Sequence, residues 1–319
     1  MNMPTISVAV PTCGRPHYLE ESLNSIMAQT RLPDEIVVSE DGADLQTKEI
    51  IDNWKRKMEG KVRLMHVSNT PGLGQLANRQ QAIQLASGDY IAMLDDDDMW
   101  FPPFLEKSFV ALKNEPEAAF CSANHSFMDD NSIVIAEKSK EFEQYCGRSG
   151  MESGLYRDVF RRTLVNKACV FSLHVTLFRS NALKAIGYFQ AYGGLVPDYA
   201  LFLKLGAKRF NGIFIKDYLG SCRIHNGQQS KKRLENSVSK VECLTMTREQ
   251  TAVGLNQQER ELLEAKLRAA ILECSIAYAH ENRRRDALRQ VGQMGQVGYR
   301  LWPFKRWAVL MALMAGVKK

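Results

Sequence analysis

The chain has 319 residues, of which 45% are hydrophobic and 24% are charged. This length and composition suit a soluble chain with one large core plus an appendage, and they exclude a disordered polar chain. The formal net charge is +6, but residues 283–319 alone carry +8, so residues 1–282 carry −2. Any electrostatic partner is therefore expected to bind residues 283–319.

The seven cysteines are scattered and include no CxxC pair. This spacing predicts reduced thiols and argues against a disulfide framework or a zinc site. Residues 1–5 lead directly into an apolar run, without the basic and long apolar regions of a secretory signal. We expect a cytoplasmic protein.

Strand patterns alternate with helical patterns over the first hundred residues. Predicted strands cover Ile6–Val10, Glu35–Ser39, Val62–Val67 and Tyr90–Leu94. Predicted helices cover Tyr18–Ala28, Leu45–Met58 and Gln75–Ala86. This alternation is typical of βαβ units with a parallel sheet, whose polar strand ends converge on one edge.

The fourth strand runs directly into four aspartates, Asp95 to Asp98, in the stretch YIAMLDDDDMW. Adjacent carboxylates repel each other at neutral pH, and a hard cation such as Mg²⁺ or Mn²⁺ relieves that repulsion. If the strand continues, Asp95 and Asp97 share one face, while Asp96 and Asp98 share the other. The alternative is a solvated acidic turn. A buried strand that delivers the aspartates to the ligand-binding edge of a sheet favours a site.

The second half is less regular. A helix is predicted at Phe104–Lys113 and another at Ala200–Gly206, and residues 137–160 are predicted to form a flexible loop. Further strands are predicted at Ala118–Ser122, Ile133–Ala136, Val175–Phe178, Gly212–Lys216 and Tyr218–Ile224. From Gln257, apolar residues recur at helical spacing, and a basic helix pattern covers Arg284–Met294.

These patterns divide the chain into three parts. Residues 1–235 form one α/β domain, in which the regular alternation of residues 1–100 gives way to the less regular residues 101–235. Residues 236–300 form a helical appendage, and residues 301–319 an amphipathic tail with aromatic and basic residues. The tail's apolar run is eleven residues long, whereas a spanning helix needs about twenty. We expect the tail to lie in a membrane interface, with docking on the protein's own core as the alternative.

The order of these motifs resembles that of the family 2 glycosyltransferases over residues 6–230. The resemblance rests on VAVPTCGRPHYLEESLNSIMAQT, EIVVSEDG, NRQQAI, SGDYIAMLDDDDMWFPPFL, PDYALFLKLG and RIHNGQQS. It implies the Rossmann-like, type A nucleotide-diphospho-sugar transferase (GT-A) fold, an α/β fold with a mixed, mainly parallel sheet, here followed by a C-terminal helical appendage. It also implies inverting, metal-dependent transfer of a sugar from a nucleoside diphosphate sugar to a glycan or polyprenyl-linked acceptor. On this resemblance, residues 1–235 are the catalytic domain, with a nucleotide-binding half (1–100) and an acceptor-binding half (101–235). Such an enzyme would serve surface polysaccharide synthesis, at the inner face of the cytoplasmic membrane.

The resemblance assigns a set of residues to the donor. Asp95 would lie against the ribose and nucleotide, and Asp41 would hydrogen-bond the nucleobase. Arg79 would contact the diphosphate, although Gln80 stands where the family usually has asparagine. Two further donor-binding candidates, Thr12 and Arg15, follow the first strand, where an arginine can pair with a phosphate. The alternative to donor binding is a purely structural turn residue for Asp41 and a surface cation for Arg15.

A second set concerns the metal ion. Asp97 is the expected ligand of Mn²⁺ or Mg²⁺, and His225 is a further candidate, with a purely structural histidine as the alternative. Asp98 and Arg223 would support the site. Asp96 is placed with the donor-binding residues, with a solvated bystander as the alternative.

Asp198 is the candidate general base, in Pro197-Asp198 where the family usually has Glu-Asp. A base must take the proton of the acceptor hydroxyl, and one carboxylate suits single displacement with inversion. The alternative is a helix N-cap.

Three other functions compete with this one. A nucleotidyltransferase also combines such a sheet with acidic metal ligands, but PTCGRPH is a poor match to its phosphate loop. A nucleic-acid-binding protein would have to rely on the basic tail alone. A catalytically inactive scaffold is disfavoured by the presence of both Asp97 and Asp198.

Overall fold

The computed structural model describes residues 3–189, 196–225, 232–251 and 254–293. The chain divides into two compact units. The first unit comprises Met1–Ala191 and Leu201–His225, and the second comprises Tyr192–Ala200 and Asn226–Lys319.

The described residues alternate between strands and helices, as the sequence predicts for the first hundred residues. The strands are β1 (Ile6–Thr12), β2 (Glu35–Asp41), β3 (Arg63–Asn69), β4 (Tyr90–Met93), β5 (Met99–Trp100), β6 (Ala118–Met128), β7 (Gly154–Tyr156), β8 (Thr176–Arg179) and β9 (Asn211–Arg223). The helices are α1 (Pro16–Met27), α2 (Leu45–Met58), α3 (Gln75–Leu85), α4 (Phe104–Asn114), α5 (Ala136–Cys146), α6 (Val159–Val165), α7 (Ser180–Ala185), α8 (Pro197–Ala207), α9 (Arg233–Thr251), α10 (Gln257–His280) and α11 (Arg284–Gln293).

The strands form one nine-stranded sheet in the order β3-β2-β1-β4-β8-β6-β9-β5, with β7 on β9. Strands β1 to β4 are mutually parallel, so their carboxyl ends share one edge. Strand β8 runs antiparallel to β4 and β6, whereas the long β6–β9 pair is parallel. The predicted fold class, an α/β fold with a mixed, mainly parallel sheet and C-terminal helices, is confirmed.

Side chains alternate between two hydrophobic cores, one on each face of the sheet. Val8 and Val10 of β1 enter one core with Leu23 of α1, whereas Ala9 enters the other with Ile83 of α3. Both faces are covered, which explains why β1 and β2 read as almost continuous apolar runs. The sheet therefore contributes polar groups to the site at the ends of its strands and not along their length.

The flexible loop predicted for residues 137–160 is wrong. This segment contains α5, a 3-10 turn at Arg148–Gly150, β7 and the start of α6. Helix α5 buries only Ser139 and Cys146, and most of its sequence, AEKSKEFEQYC, is polar. It still forms a helix, because alanine, glutamate and lysine are good helix formers. Gly147 ends the helix with φ of 82°, a left-handed conformation that favours glycine.

Three predicted strands also differ in detail from the structure. At Ile133–Ala136 only Val134 pairs, in an isolated bridge to Met128, and Ala136 already begins α5. The two short strands predicted after Gly212 form one thirteen-residue strand, β9. Its pairing with β6 shifts register around Asn124, and such irregularities interrupt the alternation that sequence analysis relies on.

The second unit contains the helices α9, α10 and α11. Asn256 and Glu259 form a reciprocal capping box at the start of α10. The apolar stripe predicted for this helix is buried, including Leu263, Leu267 and Ile271. The tail at residues 301–319 lies outside the described residues, and the predicted domain boundaries stay predictions. Among the helices that the structure describes, none is long and apolar enough to cross a membrane.

Candidate active site

The four aspartates form a turn at the carboxyl end of β4, and we call Asp95–Asp98 the acidic turn. The N–H of Asp98 donates to the carbonyl of Asp95 over 3.0 Å, so the chain turns here and does not continue as a strand. Burial alternates along the turn: Asp96 and Asp98 are buried, while Asp95 and Asp97 are partly exposed.

Carboxylate oxygens of Asp95, Asp97 and Asp98 lie within 4.8 Å of one another. Nε2 of His225 is 2.9 Å from Oδ2 of Asp97. Such a set of oxygens with one nearby imidazole fits a hard divalent cation, with nitrogen ligation favouring Mn²⁺ over Mg²⁺. A second group near the turn, formed by Asp98, His174 and Cys222, includes a cysteine. The described cysteines are all free thiols, as predicted.

Asp96 is fully buried, so the solvated alternative for this residue is wrong. Its Oδ2 accepts the hydroxyl of Thr12 at 2.7 Å, and both its oxygens lie close to the guanidinium of Arg15. Burial raises the pKa of Asp96 to about 7, against the opposing charge of Arg15. Burial alone would lower the pKa of Arg15, but Asp96 and Asp97 raise it, so the arginine stays protonated.

Arg79 of α3 is buried and donates to Oδ1 of Asp95. Burial works to raise the pKa of Asp95, but the charge and hydrogen bond of Arg79 outweigh it and lower the pKa. The first aspartate of the turn is therefore held ionised by a helix that begins at the same sheet edge.

Arg223, at the end of β9, is fully buried beneath the turn. Its backbone N–H donates to Oδ1 of Asp98 at 2.9 Å, and its Nε donates to the carbonyl of Asp97 at 3.0 Å. Its Nη2 pairs with Glu21 of α1 at 2.5 Å. Arg223 thus ties β9, α1 and the acidic turn together.

Asp41, at the end of β2, holds the loop that leads into α3. Its carboxylate accepts the backbone N–H groups of Leu73 and Gly74. A Cβ on Gly72 would lie 2.7 Å from Oδ1 of Asp41, and Gly74 has φ of 84°, so this close approach depends on glycine. The predicted contact of Asp41 with a nucleobase stays a prediction.

Sequence reasoning missed two polar residues that shape the site. The Ser22 hydroxyl of α1 lies 2.6 Å from the carbonyl of Asp98 and 2.9 Å from that of Asp96. Asn78 of α3 donates to the carbonyls of Thr12 and Ser39. A signal for Ser22 was present in the sequence, because this serine interrupts the apolar stripe that contains Leu23.

The first unit brings most of the predicted residues into one connected network around the acidic turn. These are Thr12, Arg15, Arg79, Asp95, Asp96, Asp97, Asp98, Arg223 and His225. Asp198 belongs to the second unit, where it is partly buried in the first turn of α8. Its role as the base stays a prediction.

The described residues have the GT-A fold of nucleotide-sugar transferases. The mannosyltransferase PcManGT from Pyrobaculum calidifontis, solved with GDP-Man and Mn²⁺, superposes with a TM-score of 0.61. The match covers 99% of this chain and 86% of that one at 16% identity, which shows a shared fold.

The family follows from sequence comparison. The profile of glycosyl transferase family 2 matches residues 7–187, and the chain belongs to that family. It is 33% identical to an uncharacterized glycosyltransferase of Methanocaldococcus jannaschii over 74% of this chain and 76% of the relative. It is also 27% identical to an Escherichia coli UDP-Glc:alpha-D-GlcNAc-diphosphoundecaprenol beta-1,3-glucosyltransferase, over 50% of this chain and 62% of the relative.

Proposed function

We propose that the protein is an inverting, metal-dependent glycosyltransferase that acts in surface polysaccharide synthesis. It transfers a sugar from a nucleoside diphosphate sugar to a hydroxyl of a glycan or lipid-linked acceptor. The observation that carries this proposal is the acidic turn, which presents three clustered carboxylates at the sheet edge where β1, β2 and β4 also end.

The donor is bound on the exposed side of this turn. Asp97 and His225 would hold a divalent cation, Mn²⁺ or Mg²⁺, and the bound ion would neutralise charge on the leaving nucleoside diphosphate. Asp95, oriented by Arg79, binds the ribose, and Arg15 pairs with a phosphate. Asp41 binds the base from the end of β2.

The buried members of the network position these groups. Asp96 accepts from Thr12 and Arg15 and so fixes the arginine's orientation, instead of lying exposed beside the nucleotide. Asp98 and Arg223 hold the backbone of the turn. Rigid support of this kind keeps the donor-binding groups in place before the donor arrives.

Asp198 acts as the general base and takes the proton of the acceptor hydroxyl. The assignment rests on its place in PDYALFLKLG, in the first turn of α8. A single carboxylate base suits one displacement with inversion, because double displacement needs a second carboxylate as nucleophile.

The acceptor is a glycan on a polyprenyl diphosphate, or a related lipid-linked sugar. The E. coli relative acts on a diphosphoundecaprenol-linked sugar, and the basic, aromatic residues 301–319 suit an anionic membrane surface. On this proposal the protein is peripheral at the inner face of the cytoplasmic membrane.

The experiment is a panel of UDP-, GDP-, dTDP- and CDP-sugars, incubated with the full chain and Mn²⁺, Mg²⁺ or EDTA. We expect one donor to yield the matching nucleoside diphosphate with either metal ion and none with EDTA. A parallel incubation with nucleoside triphosphates and sugar 1-phosphates tests the alternative, because release of pyrophosphate from the triphosphate would identify a nucleotidyltransferase. Turnover that persists in EDTA would contradict the metal dependence.

A further inference from the structure

Arg15 is held by one carboxylate in a fixed orientation. Its Nε lies 3.3 Å from Oδ2 of Asp96, and its Nη2 donates to Oδ1 of the same carboxylate. Asp96 is fully buried and is itself fixed by the hydroxyl of Thr12. A planar guanidinium that is bound on two nitrogens has a defined plane. The direction of its third nitrogen, Nη1, is therefore set by the protein.

That third nitrogen contacts the carboxylate that the proposed function assigns to the metal ion. Nη1 of Arg15 donates to Oδ2 of Asp97 over 2.6 Å. Nε2 of His225 lies 2.9 Å from the same oxygen and 3.5 Å from Nη1. A permanent cation of the protein thus stands beside the expected metal ligand.

Arg15 also differs from the other arginines that contact the acidic turn. Its side chain is 33% exposed, whereas those of Arg79 and Arg223 are 5% and 0% exposed. An anion approaching from solvent can reach Arg15 while the arginine remains bound to Asp96. Arg15 is therefore both positively charged and accessible to an anion from solvent.

We propose that Arg15 is a built-in counterion of Asp97, which opposes binding of a free divalent cation and favours binding of the cation together with a diphosphate. The inference rests on the proposed function, because it concerns how the same site selects its ligands. A divalent cation at Asp97 stands close to the guanidinium, and like charges a few ångströms apart repel each other. A diphosphate attracts both cations, and its oxygens match the donors of an arginine fork.

This arrangement makes the two ligands cooperative. A diphosphate raises the affinity for the cation, and by linkage the cation raises the affinity for the diphosphate by the same factor. The protein then binds free Mn²⁺ or Mg²⁺ weakly and binds the ion tightly when the nucleotide is also bound.

The test is isothermal titration calorimetry of the full chain with Mn²⁺ alone. Arg15→Gln removes the charge, and we expect it to tighten Mn²⁺ binding by about 5- to 150-fold. Arg15→Lys keeps the charge and should stay close to wild type. Arg56→Gln is the matched control, since Arg56 is an exposed arginine on α2. An Mn²⁺ affinity of Arg15→Gln at or below that of wild type would overturn the proposal, as would undetectable binding in both.

A double variant allows the same test if Arg15→Gln alone does not fold. Arg15→Gln leaves Asp96 buried without its ion pair, whereas Arg15→Gln with Asp96→Asn replaces both partners by neutral groups. We expect the double variant to show a smaller rise in Mn²⁺ affinity in the same direction, because it also removes a negative charge. No rise in a folded double variant contradicts the counterion role.

A second titration separates this inference from the proposed function. Mn²⁺ is titrated with and without saturating UDP or GDP. The Mn²⁺ affinity with nucleotide, divided by the affinity without it, should be smaller in Arg15→Gln than in wild type. If that ratio is unchanged while Asp97→Asn abolishes Mn²⁺-dependent nucleotide binding, the counterion role fails and the proposed function stands. If Arg15→Gln tightens Mn²⁺ binding but no donor sugar is turned over by wild type, the counterion role stands and the proposed function fails.

Discussion

The backbone N–H of Arg223 donates a 2.9 Å hydrogen bond to Oδ1 of Asp98, although 125 positions separate the two residues in the chain. This bond joins the end of β9 to the acidic turn at the end of β4. Burial, reinforced by the charges of Asp97 and Asp95, raises the pKa of Asp98 well above its usual value. The backbone N–H of Arg223 opposes part of this rise in pKa, because it stabilises the ionised carboxylate of Asp98. It also helps to keep the turn in one conformation.

Arg223→Met is expected to destabilise the fold by about 2–4 kcal/mol, because it deprives buried backbone carbonyls and Glu21 of their donors. Urea denaturation followed by circular dichroism measures the change. Arg157→Met is the control, since the exposed ion pair of Arg157 with Glu117 is worth less than about 1 kcal/mol. Equal stability of the two variants would mean that the Arg223 network does not hold the site together.

Asp97→Asn is expected to weaken Mn²⁺ binding more than about tenfold, because it removes a ligand carboxylate while keeping the side-chain shape. Donor hydrolysis should fall with it by about a hundredfold or more. Calorimetry in the presence of the donor's nucleoside diphosphate gives the first quantity, and a coupled assay gives the second. Asp52→Asn, on the exposed side of α2, serves as the control. Wild-type Mn²⁺ affinity in Asp97→Asn would remove this residue from the metal site.

Asp198→Asn is expected to lower kcat by about 10²- to 10⁴-fold, since an amide cannot accept the acceptor's proton. The affinity for the nucleoside diphosphate should stay near that of wild type, because the variant leaves the acidic turn intact. Steady-state kinetics and calorimetry separate the two effects.

Asp158→Asn provides the comparison for this variant, because Asp158 also stands at the start of a helix, α6. A purely structural Asp198 would behave like Asp158, with little change in kcat. That outcome would leave the protein without an assigned base.

Removal of residues 301–319 is expected to weaken binding to anionic vesicles by at least about tenfold, because each Lys or Arg near such a surface contributes about 1 kcal/mol. Donor hydrolysis in solution should be unaffected. Vesicle sedimentation with phosphatidylglycerol, and with phosphatidylcholine as the neutral control, measures the difference.

A charge-only variant refines that experiment. Replacing Lys305, Arg306, Lys318 and Lys319 by glutamine keeps the aromatic residues, so it separates electrostatic attraction from insertion of the rings. If the truncated chain partitions onto anionic vesicles like wild type, the tail is not the membrane-binding segment.

Prediction from sequence succeeded where the signal is local. The apolar runs of β1 to β4 and the intervening helices are each specified by residues a few positions apart, and so is the place where β4 gives way to aspartates. It failed at α5, whose polar surface looks like a loop, and at β9, where shifted pairing with β6 breaks the alternation.

By itself, the sequence determined the family, the order of strands and helices in the first hundred residues, and the position of the acidic turn at a strand end. Only the tertiary structure decided that Asp96 is buried against Thr12 and Arg15, that Arg79 pairs with Asp95, and that His225 reaches Asp97. The reason is physical. Which cation neutralises which carboxylate depends on segments far apart in the chain, and these meet only when the parallel strands place their ends on one edge of the sheet.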